Sequence, residues 1–154
     1  MTITRILVPT DFSADADAAL TYALGLAEAF GASIEVLHVV EDPLAAGVWS
    51  SEVYTGDVAG LLINLVRDAE QRLRNYADGH GGPIATEVRT GAAARAILDF
   101  ARERAFDLIV MGTYGRTGLA RVVMGSVAER IVRLAPCPVL TLRAETLTAA
   151  ARKA

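Results

Sequence analysis

A glycine-rich segment in the C-terminal half of the chain has residue types that bind phosphate. From Gly112 to Gly125 it reads GTYGRTGLARVVMG, with two arginines and no acidic residue, and Ser126 follows. Glycines let backbone N–H groups approach an anion, and a helix that opens at Gly125 and Ser126 would favour negative charge at its first turn. A lone Gly-x-x-Gly pattern more often forms a turn or a helix cap, so the phosphate interpretation requires a strand before the segment and a helix after it.

The lysine content excludes several classes of phosphate-handling protein. Lys153 is the sole lysine of the 154 residues. A Walker A loop, a protein-kinase strand, a Schiff-base enzyme and a phospho-receiver domain each need an internal lysine, so all four are disfavoured. The 15 basic and 18 acidic residues leave a formal charge of −3, which argues against nucleic acid or an anionic membrane as a partner.

Other reactive side chains are few. Cys137 is the only cysteine, which excludes disulfides and cysteine-rich zinc sites. His38 and His80 are the only imidazoles and no Gly-x-Ser-x-Gly motif occurs, so hydrolase and metalloenzyme interpretations are weak. We expect His38 to be a core histidine inside an apolar run, His80 to face solvent in a glycine-rich turn, and Cys137 to be packed rather than reactive.

The elements that would position the glycine loop alternate between strand and helix. Short apolar runs predict five strands, at Ile6–Val8, Ile34–Val40, Ile84–Arg89, Leu108–Met111 and Val139–Leu142. Helical spacing of apolar residues predicts four helices, at Ala16–Phe30, Leu61–Tyr76, Ala93–Ala101 and Ser126–Leu134. Strands that are apolar on both faces predict a doubly wound, Rossmann-like α/β domain: a five-stranded parallel sheet in the order 3-2-1-4-5 with helices on both faces. Ligands of such sheets bind at the carboxyl ends of the strands where the order reverses, here the first and fourth.

One domain and a short tail account for the whole chain. We expect the domain to span residues 1–143 and an Ala-rich tail to span residues 144–154. An irregular insert from Glu41 to Asp57 contains Trp49 and Tyr54, and its length is typical of a lid or an interface. The chain passes from Met1 directly into a strand and has no run of about 18 apolar residues, so the sequence predicts a cytoplasmic protein with no membrane partner.

Five motifs in order resemble those of the universal stress protein family. They are Val8–Ser13, Leu37–Val39, Asp107–Gly112, the spacing Gly-x2-Gly-x9-Gly-Ser at Gly112, Gly115, Gly125 and Ser126, and Pro136–Leu140. The resemblance covers nearly the whole chain and fails only in the Glu41–Asp57 insert and after Arg143. The glycine spacing is similar to that of the ATP-binding members of the family.

This resemblance implies roles for particular residues. Pro9 and Thr10 match residues that line an adenosine cleft, and Val39 matches an adenine contact, although an ordinary core valine is an equally good interpretation. Asp11 matches an acid near the ribose and phosphates that could help to hold Mg²⁺, with a helix N-cap as the alternative for which Ser13 competes. The positions that match the loop around the ribose and triphosphate, with the end of its strand, are Met111, Gly112, Gly115, Arg116, Gly125, Ser126 and Val127.

The implied function is that of a nucleotide-responsive module. The resemblance predicts an ATP-binding universal stress protein that regulates or protects, with at most slow hydrolysis, since the loop offers Arg116 and Arg121 but no obvious general base. Family resemblance and the position of Val139–Leu142 at the end of the sheet predict a homodimer through that edge strand. An adenine-nucleotide enzyme, either a nucleotide hydrolase or an adenylyl transferase, and a nucleotide-free protein-interaction module are the alternatives.

Overall fold

A computed structural model describes residues 2–41, 58–113 and 124–145. Residues 42–57, which make up the insert after Glu41, lie outside these ranges. So do residues 114–123 of the glycine loop and the tail after Glu145. The elements, in chain order, are β1 (Arg5–Pro9), α1 (Ala14–Phe30), β2 (Ser33–Val40), α2 (Val58–His80), β3 (Ile84–Thr90), α3 (Ala93–Glu103), β4 (Leu108–Gly112), α4 (Ser126–Leu134) and β5 (Val139–Leu142).

The five strands form one parallel sheet in the order β3-β2-β1-β4-β5. Ile6 of β1 lies between Ile34 of β2 and Leu108 of β4, so the chain order reverses beside β1. The predicted doubly wound fold and its strand order are therefore confirmed. The carboxyl ends of β1, β2 and β4 meet at one edge, which is where such sheets bind ligands.

Helices cover both faces of the sheet. On one face, Leu20 of α1 and Leu73 of α2 pack on Val8 and Val36. On the other, Ile97 of α3 and Ile131 of α4 pack on Leu7, Leu37 and Ile109. Neighbouring residues of one strand thus belong to different cores, which is why the central strands β1 and β4 carry unbroken apolar runs rather than alternate apolar residues.

Local signals fix most helix ends. Ser13 caps α1 by accepting a hydrogen bond from the Ala16 N–H at 3.3 Å, and Gly31 ends it in the left-handed conformation with φ +66°. Helix α2 begins at Val58, about one turn before the first residue of the predicted apolar pattern, and it ends at His80, directly before Gly81 and Gly82, where the chain was expected to leave the helix. Within the described ranges, no helix is both long and apolar enough to cross a membrane.

Candidate functional site

A cleft of about 670 Å³ opens at the carboxyl ends of β1, β2 and β4. The start of α4 and part of α3 bound it on one face of the sheet, and a stretch of α2 bounds it on the other. Nine predicted site residues line this cleft: Pro9, Thr10, Asp11, Val39, Met111, Gly112, Gly125, Ser126 and Val127. The other two, Gly115 and Arg116, lie outside the described residues.

Thr10 organises the floor of the cleft. Its N–H donates to the Leu37 carbonyl at 2.8 Å, which extends the β1–β2 pairing, and its side-chain oxygen accepts from the Phe12 N–H at 3.0 Å. Its own carbonyl lies 2.8 Å from Nδ1 of His38, and because a carbonyl only accepts, Nδ1 carries the proton. With 6% of its surface exposed, Thr10 is a buried polar residue whose hydrogen bonds are satisfied.

The sequence left open whether Asp11 or Ser13 caps α1, and the structure separates the roles of the two residues. Ser13 is the N-cap of α1, so Asp11 does not perform that role. One Asp11 carboxylate oxygen instead accepts from the Ser13 N–H at 3.1 Å, which holds the half-buried side chain at the cleft. A carboxylate oxygen is a ligand that Mg²⁺ accepts together with substrate phosphates, so Asp11 fits the group that the resemblance implies. The described residues contain no cluster of three or more His, Cys, Asp or Glu that could hold a metal without a ligand.

The second strand contributes to the cleft on both faces. Val39 packs beside the core of the α3 and α4 face and also lines the cleft, so its two interpretations are compatible. His38, on the other face, is half-buried rather than a core histidine, and its ring lies 4.6 Å from that of Phe12 at the cleft wall. The expectation of a core position was wrong. His38 lies near the carboxyl end of β2, which ends at Val40, and this end of the strand is open to the cleft.

Gly112 is required by packing. A Cβ at this position would lie 2.9 Å from the carbonyl carbon and the Cβ of Asp15, at the start of α1. These distances are shorter than carbon atoms tolerate, so the first glycine of the motif allows the end of β4 to approach α1. Access of an anion to the backbone is not needed to explain it.

Thr113 connects the two ends of the glycine loop, and no pattern in the sequence predicted this role. Its N–H and its hydroxyl both donate to the Leu142 carbonyl, at 2.8 and 3.0 Å, while its carbonyl accepts from the Gly125 N–H at 3.0 Å. Thr113 is therefore a buried residue that links the end of β4 to the end of β5 and to the start of α4. Because the Gly125 N–H donates to Thr113, it is not available to an anion.

The start of α4 has the properties of an anion site. Gly125 is its N-cap and no side chain caps the helix. The N–H groups of Ser126 and Val127 are the next two, and they have no hydrogen-bond acceptor among the described residues. Gly125 has φ −56° and ψ 145°, which any residue adopts, so its backbone conformation does not require glycine. The absence of a side chain at the helix start leaves room for a ligand to approach.

Helix α2 supplies a wall that sequence reasoning missed. Leu65, Asp68, Ala69 and Arg72 line the cleft at spacings of three and four residues. Two charged residues within the apolar stripe of a long helix are the signal that could have revealed this wall.

His80, at the end of the same helix, does not simply face solvent as predicted. Its Nδ1 lies 2.8 Å from the Tyr76 carbonyl and its ring lies 4.6 Å from the Tyr76 ring. The position one turn after Tyr76 places the imidazole against the last turn of α2.

The fold and the cleft define a doubly wound α/β protein with a cleft at the switch point of its parallel sheet. A sequence model described as the universal stress protein family matches residues 2–143, and the chain belongs to this family.

Relatives agree with this assignment. Universal stress protein MJ0531 of Methanocaldococcus jannaschii is 36% identical over 90% of this chain and 81% of its own length. The structure of universal stress protein UspA from Lactobacillus plantarum superposes with a TM-score of 0.69 and 32% identity, covering 93% of this chain and 99% of that one. A universal stress protein from Archaeoglobus fulgidus, solved in complex with dAMP, has the same fold with a TM-score of 0.62 and 22% identity, covering 93% of this chain and 100% of that one.

Proposed function

We propose that the protein is an ATP-binding universal stress protein that acts as a nucleotide-responsive regulatory or protective module in the cytoplasm. The observation that carries this proposal is the cleft, which joins a strand-end floor at Thr10 and Asp11 to an uncapped helix start at Ser126. A relative of the same fold binds dAMP. At 22% identity that likeness extends to the fold alone, and we propose the ligand from the residues of this chain.

The proposed ligand orientation follows from the chemistry of the two ends of the cleft. The phosphates lie at the start of α4, where the Ser126 and Val127 N–H groups and the helix dipole favour an anion. The adenine lies near Val39, whose apolar side chain and strand backbone suit a flat base. Asp11 lies between them, beside the ribose and close enough to the phosphates to share a Mg²⁺ ion.

Titration calorimetry with ATP and GTP tests the proposal. Val39 and its strand offer a surface for adenine without an acid that would recognise guanine, so we expect ATP to bind more tightly. Gly125→Val should weaken ATP binding by at least tenfold, since a branched side chain would occupy the helix start where the phosphates lie, while φ −56° and ψ 145° accommodate valine.

The matched control for this variant is Val132→Ala. Val132 is an exposed residue of the same helix and lies outside the cleft lining. It should leave ATP affinity unchanged. Equal affinities for ATP and GTP, no binding of either, or wild-type affinity in folded Gly125→Val would contradict the proposal. An adenine-nucleotide enzyme would be indicated by rapid turnover, and a nucleotide-free interaction module by the absence of any nucleotide released when the purified protein is denatured.

We also propose a homodimer through the edge strand β5. The Pro138 carbonyl accepts from the Ile109 N–H and the Leu142 carbonyl accepts from the Thr113 N–H, so alternate residues of β5 bond to β4. The backbone groups of Val139 and Thr141 therefore point away from the sheet, where a second copy could pair with them.

Substitution at Thr141 tests this dimer. Thr141→Pro removes an N–H that faces outward and should shift the mass measured by light scattering from dimer to monomer, with circular dichroism unchanged. Leu140→Pro would instead disturb the pairing with β4 and is unsuitable. A wild-type monomer at tens of micromolar, or a Thr141→Pro protein that remains a dimer, would contradict the proposal.

A further inference from the structure

We infer that Arg72 of α2 is a phosphate-binding residue of the cleft, which contacts the phosphate groups of the ligand from the face of the sheet opposite α4. This inference rests on the proposed function, because it assigns a second contact to the same ligand. It concerns a helix that lies outside every sequence motif described above. It also adds a positively charged side chain to the described part of the cleft.

The described lining of the cleft carries more acidic than basic side chains. Among the lining residues that the structure describes, Asp11, Glu41 and Asp68 carry carboxylates, and Arg72 alone carries a permanent positive charge. A nucleotide with several phosphates would meet more negative than positive charge there. Arg72 lies on the wall opposite the start of α4, so the two could contact the same anion from different sides.

The guanidinium is held in place by stacking. Its central carbon lies 4.0 Å from the centroid of the Phe12 ring. Phe12 is itself fixed, since its N–H donates to the Thr10 side chain and its ring packs on those of His38 and Tyr76 at 4.6 and 5.4 Å. Stacking uses the face of the guanidinium and leaves the N–H donors at its edge for hydrogen bonds with an oxyanion.

Those donors are not used within the described part of the protein. Asp68 lies one helical turn before Arg72, at the spacing of a common ion pair, yet no described carboxylate lies within 4.0 Å of the Arg72 guanidinium. Arg74, two residues further on, behaves as a surface arginine: it pairs with Glu70 at 3.9 Å and donates to Gln71 at 3.3 Å. Arg72 therefore stacks on Phe12 and does not form the ion pair that its spacing from Asp68 would allow.

The test is a phosphate series measured on the full chain. Arg72→Met keeps an unbranched apolar stem on Phe12 and removes the charge. We expect ATP to bind about tenfold more weakly, as for the loss of one charge-assisted hydrogen bond of roughly 1.4 kcal/mol. The loss should decrease through ADP and AMP and vanish for adenosine. Arg72→Lys, which keeps the charge but not the planar stack, should lie between the wild type and Arg72→Met.

Two further variants serve as controls of opposite kind. Arg74→Met removes an arginine from the same helix but outside the cleft and should leave every affinity unchanged. Asp68→Asn removes a carboxylate beside Arg72 and should tighten ATP binding. The dependence of log Kd on log salt should become shallower in Arg72→Met alone, because the exposed guanidinium interacts through a screened charge.

The outcomes separate this inference from the proposed function. Equal losses for adenosine and ATP, or no loss for ATP, would overturn the role of Arg72 while leaving nucleotide binding intact. If the wild type binds no ATP, the proposed function fails, and tripolyphosphate alone then tests Arg72. Tripolyphosphate binding that Arg72→Met weakens would support a phosphate site without a nucleoside, and no tripolyphosphate binding would overturn the inference.

Discussion

Tyr76 has a buried hydroxyl, a polar atom close to Thr10 and Asp17. Its ring packs between those of Phe12 and His80, and its hydroxyl is buried without a hydrogen-bond partner of normal geometry among the described residues. Burial and, after it, the nearby carboxylate of Asp17 raise the pKa of Tyr76 above its ordinary value. A hydroxyl in this position adds little to the free energy of unfolding near neutral pH, and it lowers that free energy when the solution is made alkaline.

Tyr76→Phe should therefore alter the alkaline limb of the stability curve. Above the ordinary tyrosine pKa of about 10, the unfolded chain loses this proton while the folded chain retains it. The contribution of Tyr76 to the free energy of unfolding is therefore fully present below that pH and is lost as the pH rises. The variant should equal or exceed the wild type near pH 7 by up to about 1 kcal/mol, and should lose less stability on transfer to about pH 11. Urea denaturation at both pH values measures this difference.

Tyr22 provides the control for this experiment. It lies on α1 with 40% of its surface exposed, so Tyr22→Phe should leave the alkaline loss as it is in the wild type. The same alkaline loss in the wild type and in Tyr76→Phe would show that burial of this hydroxyl does not govern the response.

Residue types predicted the floor of the cleft better than its walls. Pro9, Thr10 and Asp11 follow a buried strand directly, and the carboxyl ends of neighbouring parallel strands necessarily meet, so their convergence was readable from the sequence. Phe12 and Arg72 come together only because α2 crosses the same edge. No local pattern encodes that crossing, because it depends on how a helix packs over the sheet.

At the scale of elements, the junction of β4, α1 and β5 determines the shape of the site. Gly112 permits the close approach of β4 to α1, and Thr113 ties the start of the glycine loop to Gly125 and to the end of β5. Asp15 adds a further link by accepting a hydrogen bond from the Ala144 N–H at 2.9 Å. The motif that the sequence presents as a phosphate loop is therefore also a structural junction.

Gly112→Ala should be destabilising because the contacts that its methyl group would meet include backbone atoms. The ideal Cβ lies 2.9 Å from the Asp15 carbonyl carbon, which cannot rotate away as a flexible side chain would. We expect unfolding to become easier by about 1–3 kcal/mol, the usual cost of overpacking, as measured by urea denaturation.

Gly25, a glycine of α1, gives the matched comparison for Gly112. Gly25 has nothing within 4 Å of its ideal Cβ, so Gly25→Ala should stabilise the protein by about 0.5–1 kcal/mol through helix propensity alone. Stability changes of the same sign in the two variants would mean that the approach of β4 to α1 does not account for Gly112.

At the scale of the whole molecule, the fold was predictable because each of its signals is local and repeated. Five apolar strand runs alternate with helical periods, and right-handed crossovers leave few strand orders. The missed features are those that arise between elements: the α2 wall of the cleft, the Thr113 junction, and the half-buried position of His38. The site is consequently predictable in its location and only partly in its composition.

If the protein binds ATP as proposed, the hydrogen bonds at the floor of the cleft favour retention of ATP over its rapid hydrolysis. Asp11 is tied to the Ser13 N–H, and Nδ1 of His38 is tied to the Thr10 carbonyl, so both side chains have structural tasks at the floor. We expect ATP to remain bound through purification or to turn over far below the roughly 1 to 1,000 per second of ordinary enzymes. Asp11→Asn keeps the shape and removes the charge offered to Mg²⁺, so it should lower any residual rate.

The two histidines decide between a nucleotide sensor and an enzyme. His38 lines the cleft whereas His80 packs on Tyr76 at the end of α2, so His38→Gln is the informative change and His80→Ala its control. We expect both variants to stay within about twofold of the wild-type rate, since no proton transfer by an imidazole is invoked. Turnover of several ATP per second that His38→Gln abolishes and His80→Ala spares would identify His38 as a general base, and the protein would then be an enzyme.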